Sequence, residues 1–218
     1  MKRLNLILAL ALLCPLARAD GPGAYKKPDK DWPVALSEER AITAYNSGYA
    51  LIQKAEHAES LAALASSAEA RLADERTARL SYEAALEKFT EAVKFDASMH
   101  EAFTYIGYAS RKLGRYEASI EAYERALALH PDYPYAIEYQ GEAFLALGHL
   151  DRARTSYLRL YALHPRQAAK LLRAMQAWVE AHRSKPPDGV DFDSFAAWVN
   201  ERAQATASDL ADTRSSSW

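Results

Sequence analysis

The sequence predicts an all-α fold: a short stack of antiparallel helix pairs, preceded by a long helical segment and closed by capping helices. Three observations carry this. Ala, Leu, Glu and Arg dominate, which is a helical composition. Glycine and proline are few, 8 and 9 in 218 residues, and they sit at punctuation points. Residues also recur at a spacing of 34: Gly107 and Gly141, Gly114 and Gly148, Ala109 and Ala143, Tyr123 and Tyr157, Pro131 and Pro165. A fixed period of that length marks stacked supersecondary units, none of which buries its apolar face alone.

The first element is not part of that stack. Lys2 and Arg3 precede an apolar run from Leu4 to Leu16, and Ala17-Arg18-Ala19 offers a small-x-small cleavage site. This is the pattern of a secretory signal peptide, 1–19, cut between Ala19 and Asp20, and it predicts a periplasmic or secreted protein. The run is short for a bilayer-spanning helix, which needs roughly 20 apolar residues, so no stable membrane anchor is expected. Two alternatives stand beside it: an uncleaved anchor, and lipidation of Cys14, against which the large Leu13 argues. Cleavage removes three basic residues and no acidic one, leaving 24 basic against 29 acidic residues and no cysteine. Redox chemistry is excluded in that mature chain, and the charge balance does not suit a nucleic-acid binder.

Residues 20–36 hold three prolines and two glycines without helical periodicity, and predict an extended arm. Ser37 followed by Glu38 and Glu39 reads as an N-cap with acidic residues in the first turn. No proline follows until Pro131, and Gly48 is the one glycine before Gly107. The interval 37–99 is too long for one ordinary helix of roughly 10–14 residues. It predicts a long helical hairpin, with the break inside "ASSAEARLADERTARLS", where Ser66, Ser67 and Asp74 are the weakest helix formers.

Within the unit 100–133, Phe103, Ile106, Gly107 and Ser110 share one face of a first helix, and Ser119, Tyr123 and Ala126 share one face of a second. Small residues at Gly107 and Ser119 predict a close approach of the two helices. Gly114 supplies the turn and Pro131 the stop. The segment resembles the tetratricopeptide repeat family, on Phe103, Ile106-Gly107, Tyr116, Ser119, Tyr123, Ala126 and Pro131. The unit 134–167 resembles it through Ile137, Gly141, Phe144, Ala153, Tyr157 and Pro165, but has Gln140 and Leu150 where the family has an apolar residue and a tyrosine. An earlier, degenerate unit is visible in Tyr82, Ala85, Phe89 and Ala92, paired with "AYNSGYALIQ" and interrupted by about 25 extra residues. The resemblance implies a short right-handed α-solenoid.

Beyond the repeats, Ala169, Leu172, Met175 or Gln176, and Val179 fall at helical spacing and predict a capping helix. A second short helix through Phe192, Phe195, Ala196, Trp198 and Val199 is expected to fold back on the stack, because its two kinds of aromatic ring are too large to leave in water. Together they form the capping region 168–205. Residues 206–218 are polar and predict disorder.

No catalytic constellation is present. There is no H-E-x-x-H, no cysteine pair, no Gly-rich phosphate loop and no G-x-S-x-G serine. His130 and His164 share one repeat position at helix C-termini, where a histidine suits the helix dipole. Asp188, Asp191 and Asp193 lack the twelve-residue calcium pattern and its terminal glutamate, and helix capping at Asp191 or Asp193 accounts for the cluster. No cofactor, no metal and no enzyme activity is expected.

What remains is a surface. The resemblance implies that the first helices of successive units line a concave groove, through Glu101, Thr104, Tyr105, Tyr108, Arg111 and Lys112 in one unit and Tyr135, Glu138, Tyr139, Glu142, Leu145 and Ala146 in the next. Tyr45 and Tyr49 continue the face. Six of the thirteen tyrosines lie there, and tyrosine is favoured at binding sites. The family's carboxylate clamp is absent, since Thr104, Tyr108, Glu138 and Glu142 occupy its positions. The expectation is an exported interaction module for a protein or extended peptide. Its rivals are a scaffold that forms a homodimer through 38–94, and a metal-dependent envelope hydrolase.

Overall fold

A computed structural model describes residues 23–24 and 36–215, with side chains described through residue 205. The leader at 1–19 and nearly all of the arm lie outside these residues. Among the described residues there are eight helices and no strand. The long interval splits into α1 (Leu36–Leu64) and α2 (Ala68–Phe95). The break falls at the expected serines: Ser67 caps α2, its hydroxyl accepting from the Ala70 amide at 3.1 Å. Helix α1 begins one residue before Ser37, so that serine lies in the first turn beside Glu38 and Glu39 instead of capping it.

Helices α3 (His100–Lys112) and α4 (Tyr116–Leu129) form the first full unit, and α5 (Pro134–Ala146) and α6 (Leu150–Leu163) the second. Gly114 and Gly148 make the turns inside these units at φ 74° and 71°, left-handed values that favour glycine. Pro134 and Pro165 occupy first-turn positions, where a missing amide costs nothing. Pro165 therefore opens the next helix, α7 (Pro165–His182), as much as it stops the one before.

Each helix packs on its successor, and α3 also meets α5, as α5 meets α7. This is the layering of an α-solenoid of helix pairs. One continuous core runs from Ala41 to Val199. Close approach is set by glycine under a large side chain. A Cβ on Gly107 would lie 2.4 Å from Tyr123 Cε1, and one on Gly48 would lie 2.9 Å from Phe89 Cζ. The degenerate unit thus repeats the glycine–ring contact, with its extra residues taken up by lengthening α1 and α2. That lengthened part is lined by Ala55, Ala58, Ala62 and Ala78, all buried.

Four expectations change in detail. Gly107 faces Tyr123 as its nearest neighbour, and Ser119 instead turns its buried hydroxyl to the Tyr116 carbonyl at 2.6 Å. A Cβ on Gly141 would lie 2.6 Å from Leu171 Cδ2 of α7, and the Tyr157 ring packs on Trp198 at 5.4 Å. The buried stripe of α7 runs through Ala168, Leu171, Leu172, Met175, Trp178 and Val179, while Ala169 is half-buried and Gln176 exposed. Finally, α8 (Phe192–Ser215) continues through 206–215, where the polar composition predicts disorder. Its Ala, Leu and Arg content carries the helix onward. Asp191 caps it as expected, accepting from the Ser194 amide at 3.2 Å, and Phe195 and Val199 are buried against the stack.

Candidate functional site: the tyrosine face

The tyrosines of the first helices do share one side of the stack, but as a packed ladder of rings. Phe89 stacks on Tyr105 at 5.0 Å with the planes 9° apart, and Tyr45 and Tyr49 meet Tyr105 edge-on at 5.9 and 5.7 Å. Tyr105 meets Tyr108 at 6.3 Å, and Tyr108 meets Tyr139 at 5.1 Å. Offset and edge contacts at these distances are the favoured ones for aromatic pairs. The ladder crosses three helix pairs and ties them together.

Burial divides the expected groove residues. Tyr45, Thr104, Tyr105, Tyr108, Glu138, Tyr139 and Glu142 are buried, as is Leu145. Tyr49, Glu101, Arg111, Lys112, Tyr135 and Ala146 are half-buried. Of the expected packing residues, Gly107, Ser119, Tyr123, Ala126, Gly141, Ala153 and Tyr157 are buried, Phe103 is half-buried, and Pro131 and Pro165 are exposed. The half-buried set keeps accessible surface.

A polar network underlies the rings. Arg111 Nη1 pairs with Glu142 Oε2 at 2.7 Å, the two side chains being only 11% and 7% exposed. The same guanidinium lies over the Tyr108 and Tyr139 rings, 5.3 and 5.8 Å from their centroids. Lys112 Nζ pairs with Glu59 of α1 at 2.6 Å, and the Tyr108 hydroxyl donates to Glu56 Oε1 at 2.8 Å. Burial pushes the phenols of Tyr45, Tyr82, Tyr105, Tyr108, Tyr123 and Tyr139 well above their ordinary range, so they remain neutral donors. Sequence reasoning placed Glu56 and Glu59 nowhere, because their contact with α3 depends on how far α1 runs past the repeat.

At one edge of the face the His100 and His130 rings stack at 4.8 Å, and Tyr133 stands edge-on to His100 at 4.5 Å. Burial, the largest cause, holds the His100 imidazole below its ordinary value; Glu101, 3.2 Å away, opposes this, and His130 adds to it. A folded value below the unfolded one means stability is fully present above the ordinary histidine pKa of about 6.5 and is lost as pH falls below it. The melting temperature is expected to fall between pH 7.5 and 5, and His100→Gln to flatten that slope. His182, another residue the sequence did not single out, is buried with its ring stacked on Trp178 at 4.2 Å. Among the described residues no group of three His, Cys, Asp or Glu side chains could hold a metal, and no helix is long and apolar enough to cross a membrane.

Residues 100–133 match a family model described as tetratricopeptide repeat, and residues 135–166 match a second model of the same description. The chain carries two tetratricopeptide repeats, units typical of protein–protein interaction modules. No curated protein matches the chain.

Proposed function

We propose that this is an exported interaction module that binds a protein or extended peptide along the concave side of its helix stack, as an assembly or recruitment factor of the cell envelope. The observation that carries the reading is the ring ladder, with half-buried Tyr49 and Tyr135 at its accessible margin and Glu101 and Lys112 beside them. Rigid rings with hydrogen-bonding tips, set among charges of both signs, suit a polypeptide of mixed charge better than a polyanion.

The test uses the accessible rings. Tyr49→Ala with Tyr135→Ala is expected to abolish capture of partners from an envelope extract while the melting temperature shifts by only a few degrees. Full retention of partners moves the binding site off the concave face. Export is read from the leader sequence, and N-terminal sequencing of protein from a secreting host is expected to start at Asp20. A lipidated Cys14 at the mature terminus overturns that.

A second reading, a scaffold dimerising through the long hairpin, rests on a specific feature. Leu61, Leu64, Leu72 and Leu80 are 43%, 82%, 62% and 49% exposed on the part of α1 and α2 that outruns the repeat. Light scattering separates the two: a monomer favours recruitment, and a dimer broken by Leu64→Glu favours the scaffold.

A further inference from the structure

We propose that the first subsite of the concave face, at Tyr45, Tyr49 and Tyr105, receives a main-chain segment, and that its resident occupant is the chain's own N-terminal arm at Gly23-Ala24. The Tyr45 hydroxyl donates to the Gly23 carbonyl at 2.9 Å, across 22 residues of sequence. Tyr45 is a ladder ring with no exposed surface. The Tyr105 hydroxyl is also fully buried and has no hydrogen-bond partner of good geometry among the described residues, yet the Gly23 backbone is close enough to ease its ionisation. Two phenols therefore lie against the Gly23 backbone.

The arm's sequence fits that role. Gly23 has φ 75° and nothing within 4 Å of where its Cβ would stand, so the left-handed backbone and not crowding calls for glycine. The subsite also lies beside Tyr49, so an incoming polypeptide that uses this end of the face must displace the arm.

The proposal takes from the functional reading only the idea that this face binds peptides; occupancy itself is read directly from the arm. In the mature chain from Asp20, the amide resonances of Gly23 and Ala24 are expected away from their random-coil positions. Tyr45→Phe keeps the ring in the ladder and removes the donor. It is expected to move both resonances toward coil and lower the docked-to-free ratio about fivefold, the ratio one net neutral hydrogen bond supports. Gly23→Val, which disfavours positive φ without touching the face, is expected to shift the Ala24 resonance in the same direction. Coil positions in the unmutated chain, or resonances indifferent to Tyr45→Phe, overturn the proposal while leaving the functional reading to be decided by Tyr49 and Tyr135.

Discussion

Replacing Gly107 with leucine is expected to cost at least about 3 kcal/mol, the upper end of ordinary overpacking. A Cβ alone would stand 2.4, 2.6 and 2.8 Å from three ring atoms of Tyr123. That ring has no exposed surface and cannot swing aside, since it is enclosed between the two helices of its unit and by Tyr139 at 6.4 Å. The helix pair must open, and the ladder built on α3 opens with it. Gly114→Ala is the informative contrast, because nothing lies within 4 Å of its Cβ and the φ of 74° alone penalises the change. It is expected to cost about 1 kcal/mol. Chemical denaturation checks both. Adding Tyr123→Ala to Gly107→Leu is expected to recover part of the loss, a coupling that only residues in contact show. Equal midpoints for Gly107→Leu and the parent would mean that α3 and α4 pack in a different register.

Gly107 was legible as a point of close approach, although the sequence paired it with Ser119; the helices touch where its side chain is missing, and the Tyr123 ring fills the space. The same pair recurs as Gly48 and Phe89, although the intervening sequence is far from regular. The hairpin break was legible from Ser67, whose hydroxyl is a helix-capping group. The state of the tyrosines was not. A tyrosine has an apolar body and a polar tip, so a row of them at helical spacing reads equally as a wet binding face or a packed ladder. Only their mutual distances decide. Glu138 and Glu142 misled for a related reason. Charged residues at groove positions read as solvated, but both are buried here, and the cation that accounts for Glu142 comes from the preceding unit. The cap shifted register because Leu171 reaches back to Gly141, a contact set by where Pro165 starts α7. The arm's hydrogen bond to Tyr45 leaves no periodic trace at all.

The second large effect is at that buried pair. As an exposed contact across repeats, Arg111 with Glu142 would be worth less than about 1 kcal/mol. The structure removes it from that class: the side chains are 11% and 7% exposed, and the guanidinium lies against the Tyr108 and Tyr139 rings. Glu142→Ala is therefore expected to cost about 3–5 kcal/mol, because it leaves a desolvated cation without the carboxylate 2.7 Å away. The double variant Arg111→Met, Glu142→Leu keeps the volume and removes both charges. It is expected to lie within about 1 kcal/mol of the parent or above it, as replaced buried pairs often do. That ordering, with the single change worse than the double, is the signature of a buried pair and is read from denaturant midpoints. If Glu142→Ala melts within 1 kcal/mol of the parent, water screens the pair. The face would then be open to solvent at α5, around Glu142.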